Sequence, residues 1–189
     1  MRITWKNGAV LAAAVMFIGI GGTVFAQNNA NGITPGSSSA KTVSAADKKF
    51  ATGAAQGGLA EVELGQLAAQ KGQSDKVKQF GQRMVDDHTS ANKELKSVAQ
   101  KNNITLPTSI NAKDQALKDK LSGLSGAEFD RAYMTSMVKD HQKDISEFQK
   151  EANSGSNADL KGFAARTLPT LQEHLRMARE AEQAVVSSK

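Results

Sequence analysis

Phe80-Gly81-Gln82-Arg83-Met84-Val85-Asp86-Asp87-His88 and Tyr133-Met134-Thr135-Ser136-Met137-Val138-Lys139-Asp140-His141 are two copies of one pattern, 53 residues apart. An aromatic residue, a Met and a His at i, i+4 and i+8 share one face of an α-helix. Leu95 and Phe148 continue that face seven residues beyond each His. A face that is apolar on both sides of a histidine reads as the buried stripe of an amphipathic helix. The fold class is therefore all-α, with two equivalent helices presenting Asp-His units to one centre. A shared site and a duplication kept for packing both account for the repeat.

Further helical spacings flank both copies. The first helix is expected from Ser44 to Ala69, with Ser44 and Asp47 as its start signal and Gly72 as its end. Its stripe is Phe50, Ala54, Gly57, Leu64 and Ala68, and its many small residues predict close helix packing. The second helix runs from Ser74 to Asn102–Asn103 along Val77, Phe80, Met84, Ala91, Leu95 and Val98. A short helix is expected between Asn111 and Leu121. The third helix opens on a Ser125–Glu128 capping box and buries Phe129, Tyr133, Met137, Ile145 and Phe148. The fourth runs from Asn157 to Val186 along Phe163, Thr167, Leu171, Ala178 and Val185. Pro169 inside it removes the bond to the Ala165 carbonyl and should kink it.

Four amphipathic helices, each about 40 Å long, must bury their stripes against one another. A four-helix bundle does this. Short loops after the first and third helices make antiparallel hairpins. The long connection from Asn103 to Ser125 can turn back or cross the whole bundle, and spacing leaves both open.

The chain has 189 residues, 24 basic and 19 acidic side chains, and a formal net charge of +5. It has no Cys, which excludes disulfides, thiolate metal sites, Fe–S clusters and Cys nucleophiles. Arg2 and Lys6, the apolar run Ala9–Ile20 and the small-x-small Val24-Phe25-Ala26 read as a signal peptide over residues 1–26. The export this implies is periplasmic or extracellular, with outer-membrane association left open. Residues 27–43, rich in Asn, Gly and Ser, read as a disordered linker, and 44–187 as the bundle domain. Cleavage leaves a charge of +3, too mild and too evenly spread for nucleic acid, and no membrane span.

Four polar residues interrupt the stripes: Glu61, His88, His141 and His174, one on each long helix. Measured from their hairpin loops, all four fall in the middle portion of the bundle, with axial mismatches of about 4.5 and 7.5 Å. Burying them unpaired is costly. A metal-free polar network or a metal ion would each remove that cost. Imidazole and carboxylate together suit a transition metal such as Cu, Zn or Fe. Asp87 and Asp140 sit about 100° around the helix from their own histidines. Each can orient a His on an adjacent helix as a metal's outer partner, or face solvent. Met84, Met137 and Met177 share helix faces with the histidines and are candidate soft ligands or core filler. No phosphate-binding Gly loop, no H-E-x-x-H and no Gly-x-Ser-x-Gly is present.

These residues carry a family resemblance. Gly58-Leu59-Ala60-Glu61-Val62 with Gly65-x-Leu67-Ala68, Met84-Val85-x-Asp87-His88, Tyr133-Met134 with Val138-x-Asp140-His141, and Leu168-Pro169-x-Leu171-x-x-His174-Leu175 resemble the bacterial family "domain of unknown function 4142". The resemblance spans roughly Ala46 to Ala181. It implies a ferritin-like bundle in an exported protein; such proteins are often labelled outer membrane proteins. Ferritin-like di-iron centres take a Glu from each of two helices and Glu-x-x-His from the other two. Here Glu61 matches a lone Glu, but Val85 and Leu171 stand three residues before His88 and His174, and His141 stands where a carboxylate is expected. That departure weighs against ferroxidase or oxygenase chemistry.

The leading expectation is an exported, non-catalytic binding or stress-associated protein whose His/Glu centre binds a transition metal. The alternative is a structural or protein-interaction module with a metal-free polar core, its protein partner unspecified. A metal-dependent oxidoreductase is third.

Overall fold

The computed structural model describes residues 43–187; the signal-peptide segment and all but the last residue of the linker lie outside the described residues. Five helices follow in order: α1 (Ala45–Lys71), α2 (Asp75–Lys101), α3 (Ala112–Ser122), α4 (Gly126–Ser154) and α5 (Ala158–Ser187). There is no strand among the described residues. The four long helices form the bundle and α3 is the short extra helix.

The ends of the helices settle the topology. At one end the Asp130 carboxylate of α4 accepts from the Gln73 and Ser74 backbone N–H groups, at 2.9 and 2.8 Å. That places the start of α4 beside the start of α2. At the other end Asp47 of α1 accepts from the Ser156 N–H at 2.8 Å, and Asn157 donates to the Asn102 side chain at 2.6 Å. The end of α2 therefore meets the start of α5, and the connection carrying α3 crosses the full length of the bundle. α2 and α4 run parallel on one diagonal, and α1 and α5 on the other. Each long helix is antiparallel to both of its neighbours.

The caps are partly as expected. Ser44 and Asp47 form a reciprocal capping box at α1. The Ser125–Glu128 box does not form. Ser125 is extended (φ −149°), Gly126 follows it at φ +59°, and the Ser125 side chain makes no cap bond. Ser74 makes no side-chain cap either; Asp130 serves that end of α2 from across the bundle.

Close approach of α1 to α2 depends on glycine. A Cβ on Gly65 would lie 2.6 Å from the Gly81 carbonyl oxygen, and one on Gly81 would lie 2.7 Å from that of Gly65. The α1 stripe consequently turns toward α2. Ala51, Ala55 and Gly58 are buried in its first half, rather than Phe50, Ala54 and Gly57. Phe50 lies edge-on to Phe148 at 4.9 Å, and Gly57 faces a cleft toward α4. α5 runs on through Pro169, whose ring is exposed.

The core divides in two. Leu64, Phe80, Met84, Phe129, Tyr133 and Met137 anchor one apolar cluster. Ala51, Leu95, Phe148, Leu160, Phe163 and Leu171 anchor the other. Along every long helix the polar residue lies between members of the two clusters, so Glu61, His88, His141 and His174 form a buried layer across the bundle.

Candidate metal centre

The three histidines meet. Their ring centroids are 5.3 to 5.9 Å apart, and one ring nitrogen from each lies within 4.8 Å of the other two. Local bonds define the tautomers. His141 Nδ1 is 2.9 Å from the Met137 carbonyl oxygen, which only accepts, so Nδ1 carries the proton. His174 Nε2 is 2.7 Å from an Asp87 carboxylate oxygen, so there the proton is on Nε2. The remaining nitrogens, His141 Nε2 and His174 Nδ1, are buried lone pairs without a partner, and His88 Nε2 is buried without a partner too. A tetrahedral ion with Zn–N distances of about 2.0–2.1 Å holds its nitrogens about 3.3–3.4 Å apart. From separations of up to 4.8 Å, the nitrogens would have to close by as much as about 1.4 Å to reach that spacing.

Electrostatics keep these rings neutral. Burial pushes the His88 pKa down to about 3, reinforced by His141 and His174. Burial, with His174, pushes His141 to about 4. His174 is also lowered by burial, which outweighs the opposing pull of Asp87. At neutral pH all three offer free electron pairs, the form that metals take.

Glu61 is buried beside this group without joining it. Its Oε1 is 3.8 Å from His141 Nδ1, beyond hydrogen-bond reach, and its Oε2 has no partner. Burial raises its pKa well above the usual carboxylate range, with Asp144, Asp140 and Asp114 adding to the effect. Tyr133 stacks on Phe129, and its buried hydroxyl is unpartnered too.

The two aspartates of the repeat part company. Asp87 crosses to His174 and also binds Arg83. Asp140 reaches no histidine; its ion-pair partner is Lys113, at 3.8 Å. Met84 and Met137 are buried in the apolar cluster below the histidines, and Met177 packs partly buried against it. Sequence reading missed Arg83, although its position four residues before Asp87 on one helix face was a usable signal. It missed Asp144 as well, which carries no signal until α1 and α4 are placed side by side.

The family model described as "Domain of unknown function (DUF4142)" matches residues 33–181. The chain belongs to this family. The match to DUF4142 begins within the stretch read as linker and covers every histidine of the layer. No curated protein matches the chain. A solved structure similar to this DUF4142 bundle is the crystal structure of a DUF305 fragment from Deinococcus radiodurans, with a TM-score of 0.66 and 11% identity, covering 75% of this chain and 98% of that one. At that identity the likeness speaks for the fold alone. Among the described residues, no helix is long and apolar enough to cross a membrane.

Proposed function

We propose that this DUF4142 chain is an exported, non-catalytic transition-metal-binding bundle, with His88, His141 and His174 as the donors. The observation that carries this reading is the set of three buried ring nitrogens with no hydrogen-bond partner. Each such group costs about 1–3 kcal/mol if left unsatisfied. One ion shared by all three would remove that cost. Asp87, bonded to His174, is the carboxylate that would fix that ring and raise its basicity. Glu61, buried and close to His141, would become ionised beside a cation and offset its charge from outside the group of three nitrogens. Three imidazoles with a carboxylate suit Zn or Cu(II), with Fe also accommodated, and no thiolate is available to favour softer ions. Met84, Met137 and Met177 would add softness only if their sulfurs turned into the layer.

Elemental mass spectrometry on exported protein purified without chelator tests the reading. The expected result is about one equivalent of metal per chain, lost when all three histidines are replaced by Ala. Absence of metal in the native protein, even after reloading with Cu, Zn, Fe and Mn, overturns it and leaves the metal-free polar core.

A further inference from the structure

A cleft of about 680 Å³ runs between α1 and α4 under the start of α3. Its lining sorts by depth. Lys113 and Lys143 stand at the rim, 75% and 58% exposed. Asp140 and Asp144 line the wall, at 30% and 20% exposure, and Glu61 closes the floor. Glu61 is itself 3% exposed, and its Oε2 is unpartnered. Its other oxygen is 3.8 Å from His141 Nδ1, so the floor of the cleft meets the His141 ring on its proton-bearing side. Gly57 keeps the passage open: a Cβ there would come no closer than 3.9 Å to anything, and that neighbour is an Asp144 carboxylate oxygen.

The opposite approach, between α2 and α5, is different. There the carboxylate of Asp87 is taken up by His174 and by the Arg83 guanidinium, a fixed positive charge that repels cations. On the α1–α4 side, by contrast, Asp140 and Asp144 face their lysines at no closer than 3.8 Å. Those carboxylates do not make a closed site of their own. Among the described residues, only the three histidines form a group close enough to hold an ion.

We propose that the α1–α4 cleft is the path by which a divalent cation reaches the histidine centre, passing from Asp140 and Asp144 on its wall to Glu61 at its floor. This rests on the metal-binding reading above. The long 3.8 Å pairs of Lys113 with Asp140 and Lys143 with Asp144 yield readily to an ion. Carboxylates facing a low-dielectric passage raise the local concentration of cations and speed their arrival by about tenfold or more.

Stopped-flow loading of the full chain with Co²⁺, read by the visible absorption of the histidine-bound ion, tests the path. Asp144→Asn and, separately, the plugging variant Gly57→Leu are each expected to slow loading about tenfold. The final absorption spectrum and stoichiometry should stay unchanged, and the Kd should stay within about twofold, release slowing in step with loading. Glu94→Gln, on the α2–α5 side where Glu94 pairs with Arg166, should load at the native rate. Native loading rates in both cleft variants overturn the path while leaving the centre standing. A weakened Kd in Asp144→Asn at an unchanged loading rate makes Asp144 part of the binding site and likewise overturns the path. Failure of the native chain to bind Co²⁺ at all overturns the centre itself.

Discussion

Asp87 and Asp140 occupy the same place in the repeated motif and lead opposite lives. Asp87 sits one helical turn after Arg83 and faces His174 of α5. Burial opposes its ionisation, but hydrogen bonds from Arg83 and His174 outweigh burial and hold its pKa below the usual value. Asp140 has Ser136 in place of the arginine, and Ser136 turns its hydroxyl back to the Ala132 carbonyl. The helix beside it, α1, offers Glu61 where α5 offers a histidine. Burial therefore raises the Asp140 pKa, and Lys113 only partly opposes it. Exchanging two residues around a duplicated Asp-His unit turns a closed, charge-paired side into an open, carboxylate-lined one. A repeat in sequence thus defines equivalent backbone positions, and the neighbours decide what each copy does.

The largest break in the comparison is expected six residues before the aspartates, where Gly81 and Met134 correspond. Met134→Ala empties a fully buried site and should cost about 2–5 kcal/mol, whereas Gly81→Ala forces α1 and α2 apart and should cost about 1–3 kcal/mol. Urea melts of both variants in chelator check the order. Next, Asp87→Asn should weaken metal binding about 10- to 100-fold by loosening His174, while Asp140→Asn leaves the equilibrium affinity within about twofold. Competition titrations against a chromophoric chelator separate them, and equal losses would erase the asymmetry.

A third test uses pH. Burial chiefly raises Asp144 to about 7 against 3.8 for the free residue, so the folded chain binds this proton more tightly. Its contribution to stability is full below about pH 4 and lost as pH rises through 7. Asp144→Asn should therefore gain about 1–2 kcal/mol at pH 8, the gain shrinking steadily toward pH 4. The histidines work in the other direction. With folded values of about 3 and 4, His88 and His141 contribute stability above pH 6.5 that is lost as pH falls toward those values. In chelator, removing the opposing carboxyl should steepen the acid limb of the melting curve. The smallest effect belongs to Arg83→Ser, which makes α2 resemble α4 at that position. Metal affinity should fall only about two- to threefold, because the Arg83–Asp87 pair is partly solvated.

The long helices were legible because apolar spacing and Gly ends are local signals. The polar layer was legible because each His interrupts an otherwise continuous stripe. The direction of the α2-to-α4 connection was not, since the groups that reveal it, Asp130 with Ser74 and Asn157 with Asn102, are distant in sequence. The first half of the α1 stripe was read one position off. Gly65 and Gly81 draw α1 against α2, and the cleft leaves Phe50 and Gly57 on a wetter face than spacing alone implies. Convergence of His88, His141 and His174 followed from register, but which nitrogen stays free depends on the Met137 carbonyl and on Asp87 across the bundle.

The crossing connection also governs how the layer comes into being. Glu61 and His88 belong to the hairpin of α1 and α2, and His141 and His174 to that of α4 and α5. Each hairpin can zip from its own short loop, yet neither holds more than two of the four residues. An ion seated among the histidines would be a rivet between the two hairpins. It would have to leave before the halves could part, so loading should slow the sub-global opening seen by amide hydrogen exchange far more than it slows fraying of the helix ends.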